Sequence, residues 1–149
     1  MTSHPEASRN PNAEVVRRAI AGLTAMDLTA VLACLADEAI VELPFERDVP
    51  PLDKSGMATF LGWLFGLYRQ FDIELTHLYD LIDPDVVIAR YVGDCIGRED
   101  DVGYANEYIA VFEFEGGLIS SWREYDNPMV SRASQRAHAA AAAERAAGG

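Results

Sequence analysis

YANEYIAVFEFEGGLISSWREYDNP, residues 104–128, contains two runs of alternating side chains that meet at Gly116-Gly117. Alternation marks strands, and a Gly-Gly pair between two such runs marks a tight antiparallel hairpin. Strand side chains repeat every second residue. Tyr104, Asn106, Tyr108, Ala110 and Phe112 therefore share one face of the first run, and Ser120, Trp122, Glu124 and Asp126 share one face of the second. Carboxylates beside Trp122 are out of place in plain core, since an unpartnered buried charge is costly. The wall of a pocket accounts for them better.

Outward from the hairpin the two-residue period continues upstream. Phe71, Ile73, Leu75, His77, Tyr79 and Leu81 alternate with polar residues, Asp83-Pro84-Asp85 makes a turn, and Val86 to Ile96 forms the next strand. Before residue 70 the period is helical. Asn10-Pro11 reads as a cap and first turn of a helix over about 11–25, and Asp27 caps a second helix. Ile40 to Leu43 is a short strand, the loop Phe45 to Asp53 is stiffened by Pro50-Pro51, and a third helix covers about 54–68. Three helices followed by a meander of long strands is an α+β layout. Residues 1–10 are expected to be a mobile N-terminus and 11–130 one domain. Residues 131–149 are expected to be a mobile, alanine-rich tail, because they have helical propensity but no apolar stripe.

The chain of 149 residues is long enough for one sizeable core, and half of it is hydrophobic. A net charge of −12 argues against nucleic acid and anionic membranes, which recruit clustered Lys and Arg. No apolar run reaches membrane-spanning length and no basic-plus-apolar leader is visible, so a cytoplasmic location is expected. Cys34 and Cys95 lie far apart, and buried free thiols are favoured over a disulfide. Phosphate-loop, dinucleotide and nucleophile-elbow motifs do not occur, and the histidines and cysteines lack metal-ligand spacing. No cofactor and no metal are expected.

The pattern Y-x-N-E-Y-I…F-x-F-x-x-G-x-I…W-R-E-Y-x-N-P, running from Tyr104 to Pro128, resembles the last hairpin of the SnoaL-like polyketide cyclase group in the nuclear transport factor 2-like superfamily. It is similar also to phenazine-biosynthesis isomerases and to limonene-epoxide-hydrolase-like enzymes. The resemblance implies a cone, with a curved antiparallel sheet wrapped around three helices of the N-terminal half. It implies acid/base chemistry on a small apolar molecule bearing a carbonyl or an epoxide, and a homodimer. The same fold also hosts non-catalytic binding modules and dimerising assembly proteins, and these remain rivals.

Glu124 is the leading catalytic candidate: the resemblance places the general acid/base there, and an apolar cone would raise its pKa. The bland alternative is an ion pair with an arginine on an exposed face. Asp94 is expected to orient water or substrate, with Arg90 on the same face of its strand. The hydrolase-like pattern has its arginine two residues away, where this chain has Val92. Asn106 and Tyr108 are candidate donors to a substrate oxygen. Glu42 could reach the mouth of the cone, and Trp63 and Tyr68 on the third helix, with Trp122, are expected to shape the pocket. His77 is read as a residue on the apolar side of its strand.

Overall fold

The computed structural model describes residues 10–148. The expected mobile stretch 1–10 therefore lies almost wholly outside the described residues. Helix α1 (Pro11–Thr24) starts where Asn10 accepts the Asn12 N–H. Asp27 caps α2 (Leu28–Leu32) through the Ala30 N–H, and Asp53 caps α3 (Lys54–Leu67) through the Gly56 N–H at 2.7 Å. Each cap satisfies an amide that the helix leaves unpaired.

Strands β1 (Leu35–Glu42), β2 (Tyr68–Asp80), β3 (Val86–Gly97), β4 (Gly103–Glu115) and β5 (Leu118–Tyr125) form one sheet in the order β1-β5-β4-β3-β2. The α+β cone is as expected, but the sheet is mixed. β1 runs parallel to β5, while the remaining pairs are antiparallel. Gly116 and Gly117 close the β4–β5 hairpin with φ of +60° and +79°, values that glycine adopts without strain.

Two bulges redirect side chains that simple alternation misassigned. Between Leu75 and His77 the β2–β3 register slips, so Leu78 is buried and His77 moves to the outer face opposite Arg90. There His77 stacks on Tyr79 at 6.0 Å, not on the apolar side where the period had it. A second slip opposite Glu113 and Phe114 brings both Ile119 and Trp122 inward, and it takes Ser120 out of line with Trp122.

The inner face of the sheet packs on α1 and α3 around a core that includes Val16, Ile20, Leu61, Tyr91, Phe112 and Trp122. Both cysteines are buried and free. No described helix is long and apolar enough to cross a membrane.

The tail differs from expectation. It belongs to a 21-residue helix, α4 (Pro128–Gly148), which contacts β4. Ser131 and Ser134 are buried, His138 Nδ1 lies 2.5 Å from Asp100 Oδ2, and Arg145 lies 3.5 Å from Glu99. The contacts that dock this helix are largely polar, so a search for an apolar stripe could not detect them.

Candidate active site

The cone encloses a cavity of about 230 Å³ between α3, the inner face of the sheet and the first turns of α4. Its wall is mostly apolar, and its polar groups converge from the two ends of the hairpin and from α4. Such a cavity can hold a small apolar molecule and fix its orientation at a few points.

Glu124 lies at the inner end of β5, paired with Ala110 of β4, whose own partner on β3 is Ala89. Protein atoms surround Glu124, yet it keeps accessible surface, which it turns to the cavity. One carboxylate oxygen accepts a short hydrogen bond from the Tyr91 hydroxyl. The indole N–H of Trp122 donates to that same Tyr91 oxygen at 3.3 Å. The indole can only donate to Tyr91, and an ionised Glu124 can only accept from it, so in that state the bonds run from Trp122 to Tyr91 to Glu124. Burial pushes the Glu124 carboxyl up to about 7; Tyr91 draws it down, and the charges of Asp126 and Glu46 add to the rise. Burial, with the Glu124 charge beside it, holds Tyr91 well above the ordinary tyrosine range.

A second acidic group adjoins the first. Asp126 is raised by burial and then by the neighbouring Glu46, with which it hydrogen-bonds. Ser131 of α4 donates a short hydrogen bond to Glu46 and lies 3.4 Å from Asp126. The cavity thus holds three carboxyls, from the β1–α3 loop, from β5 and from the residue just after it.

Tyr91, the residue that orients Glu124, was not foreseen. The candidates Arg90 and Asp94 share the other face of β3 with Ile88 and Val92. The structure turns that face outward, so Asp94 is exposed and away from the cavity, and Arg90 meets Tyr79 at 3.4 Å outside it. Facing inward are Ala89, Tyr91, Gly93 and Cys95, all buried. One aromatic among small residues was the available signal, because the small neighbours leave room for it. A Cβ on Gly93 would come within 3.3 Å of the Tyr108 ring, so that glycine makes space for the tyrosine.

The remaining candidates divide. Tyr108, Trp122 and Tyr68 line the cavity, although Tyr68 begins β2 and does not belong to α3. Trp63 also lines it from α3 while remaining 60% exposed, which puts it at the mouth. Glu42 is turned away and pairs with Arg123 at 3.7 Å. Asn106 is buried but does not line the cavity, because its amide is fully engaged. Its nitrogen donates to the Tyr104 hydroxyl and the Asn127 carbonyl, and its oxygen accepts from the Glu107 and Asn127 amides. It ties β4 to the turn before α4 and cannot itself bind a ligand. Among the described residues no group of three or more His, Cys, Asp and Glu side chains has the arrangement of a metal site.

The fold is widely shared. The BvnE pinacolase from Penicillium brevicompactum superimposes with a TM-score of 0.78 at 18% identity, over 90% of this chain and 98% of that one. An LEH-like epoxide hydrolase from M. tuberculosis gives 0.69 at 19% identity, over 90% and 96%. A phenazine biosynthesis-related protein from Pseudomonas aeruginosa gives 0.72 at 16%, over 85% and 81%. In sequence, the chain is 25% identical over 120 residues to the uncharacterized protein YesE of Bacillus subtilis (strain 168), covering 78% of this chain and 82% of YesE. The SnoaL-like domain model matches residues 16–122, most of the cone, and the chain belongs to the SnoaL-like domain family.

Proposed function

We propose that this protein is a cofactor-independent acid/base enzyme. It moves a proton on a small apolar metabolite bearing a carbonyl or an epoxide, by isomerisation, cyclisation, dehydration or epoxide opening. One observation carries this reading: the Glu124 carboxyl, with a pKa near 7, faces an apolar cavity and is oriented by Tyr91. A carboxyl poised near neutrality exists in both forms there, so it can take a proton from carbon and return it elsewhere. Tyr91 stabilises the ionised form and Trp122 fixes Tyr91. The apolar wall keeps bulk water from competing for the proton. The pinacolase, epoxide hydrolase and phenazine-related structures that share the fold are consistent with a metabolic role of this kind.

The test is proton exchange. Apolar ketones, enones and epoxides are incubated with the protein in D₂O and followed by mass spectrometry for deuterium uptake or rearrangement. Wild-type protein is expected to turn over at least one class, and Glu124→Gln to lose roughly 10²–10⁴-fold in rate. An equally active Gln variant would move the chemistry elsewhere. Binding without turnover across the panel would favour the rival reading, a binding module.

A further inference from the structure

We infer that Tyr104 donates a hydrogen bond to an acceptor oxygen of the ligand, so that the cavity selects molecules bearing a carbonyl-type oxygen over their hydrocarbon isosteres. The inference builds on the acid/base reading above and supplies the electrophilic partner that it lacks.

The argument is a count of hydrogens. Tyr104 and Tyr108 both line the cavity, and their hydroxyl oxygens lie 2.8 Å apart. Each hydroxyl has one hydrogen and two acceptor positions. Asn106 donates to the Tyr104 oxygen at 2.9 Å. The orientation of that amide is settled by its other contacts, since its oxygen receives two backbone N–H groups. One tyrosine hydrogen fills the bond between the two hydroxyls. The other finds no acceptor among the described residues, whichever way that bond points, and a half-buried O–H left unpaired carries a cost. Buried tyrosine hydroxyls ordinarily find a partner.

The spare hydrogen belongs on Tyr104. Its oxygen then accepts from both Asn106 and Tyr108, and two donations polarise its own O–H and make it the stronger donor. Tyr91 cannot serve instead, because its hydrogen goes to Glu124. Nor can Trp122, whose N–H goes to Tyr91. Asn106 has both amide hydrogens engaged, so its influence on a ligand passes through Tyr104. The site therefore offers Glu124 for the ligand's proton and Tyr104 for its oxygen, while the Ser134 hydroxyl and His138 Nε2, which also lack partners among the described residues, lie on the α4 side of the cavity. A donor aimed where negative charge develops lowers the barrier to taking a proton from the adjacent carbon.

The probe is acetophenone carrying a ¹³C-labelled carbonyl, with ethylbenzene as its isostere lacking the oxygen. For wild-type protein, acetophenone is expected to bind about three- to tenfold more tightly than ethylbenzene, the return from one net hydrogen bond. Its carbonyl infrared band is expected to shift to lower frequency than in an apolar solvent. Tyr104→Phe alone frees the Tyr108 hydrogen, so the variant expected to abolish both the preference and the shift is Tyr104→Phe with Tyr108→Phe, and intact ethylbenzene binding shows that it folds. Tyr108→Phe should keep the shift, because Asn106 still holds Tyr104. Acetophenone that binds no more tightly than ethylbenzene, a shift lost in Tyr108→Phe alone, or a band unmoved when both tyrosines are phenylalanine, would overturn the inference. Glu124→Gln should lose deuterium exchange yet keep the band shift, so this inference and the proton-transfer reading fail separately.

Discussion

Glu124→Gln should make this protein more stable at neutral and alkaline pH, and the gain should vanish in acid. In the folded state the carboxyl is raised from its ordinary value of 4.5 to about 7, chiefly by burial. A group whose folded pKa is raised adds stability below its unfolded pKa and loses it as pH rises through the folded one. Between about pH 4 and pH 8 the wild-type protein should therefore lose about 3 kcal/mol at this residue, at 1.36 kcal/mol per unit. Glutamine never ionises, keeps the size of glutamate and still offers an oxygen to the Tyr91 hydroxyl. For a domain of this length 3 kcal/mol corresponds to about 10 °C in melting temperature. Melting curves of the two proteins at matched ionic strength should diverge by about that amount near pH 8 and converge near pH 4. Asp126 is present in both proteins, and only its coupling to the Glu124 charge enters the difference. A gap that stays constant over this range, or widens in acid, would show that Glu124 is not held uncharged by burial. The measurement needs no substrate.

Other outcomes follow from the same geometry. Tyr91→Phe removes the hydrogen bond that draws the Glu124 pKa down, so carboxyl titration by ¹³C NMR should move upward by about one to two units, the range for a bond to a charged group. The same change strands the Trp122 N–H and should cost about 1–3 kcal/mol in denaturant unfolding. Gly93→Ala presses a methyl against the Tyr108 ring and Ile73, so a crystal structure should show the ring displaced by a few tenths of an ångström, with a modest fall in ligand affinity. Asp94→Asn, on the outer face, should leave deuterium exchange within about twofold of wild type, as surface changes usually do; a large loss would bring that face back into the chemistry. His138→Ala should raise hydrogen exchange in α4 while leaving β3 and β4 protected, because it removes a polar anchor of that helix. The outer face of the sheet, where Ile109 is exposed, is proposed as the homodimer interface, and a monomer in sedimentation at micromolar concentration would count against it.

The hairpin and the first two helix caps were legible because they rest on local chemistry: two glycines with positive φ, the capping side chains Asn10 and Asp27, and a change of period near residue 70. The cavity face of β5 was legible for a related reason, since Glu124 next to Trp122 breaks the expected pattern in a way that only a pocket relieves. β3 misled because alternation tells which residues share a face but not which face turns inward. Both of its faces carried chemically capable side chains, Asp94 and Arg90 on one, Tyr91 on the other. The two bulges were invisible for a similar reason: a single inserted residue changes no local propensity, yet it moved His77 and Ser120 off their expected faces. Asn106 was correctly singled out as unusual in a strand, but its four hydrogen bonds to β4 and Asn127 depend on where the chain returns after β5. The docking of α4 depends on Asp100, Glu46 and Glu99, residues distant in sequence and unremarkable on their own.

Residues 16–122, the part that matches the family, stop just before Glu124, and one side of the cavity comes from beyond them. Ser131, Ser134, Gln135 and His138 of α4 contribute to the same cavity that Glu124 serves. Part of the cavity wall is thus carried by a segment separate in sequence from the strands that hold Glu124 and Tyr104. Substitutions, or a wholesale exchange, in the last twenty or so residues would reshape the entrance while the proton-handling strands stay untouched. Changes confined to this helix would alter the cavity wall and, through Ser131, the Glu46 and Asp126 carboxyls behind it.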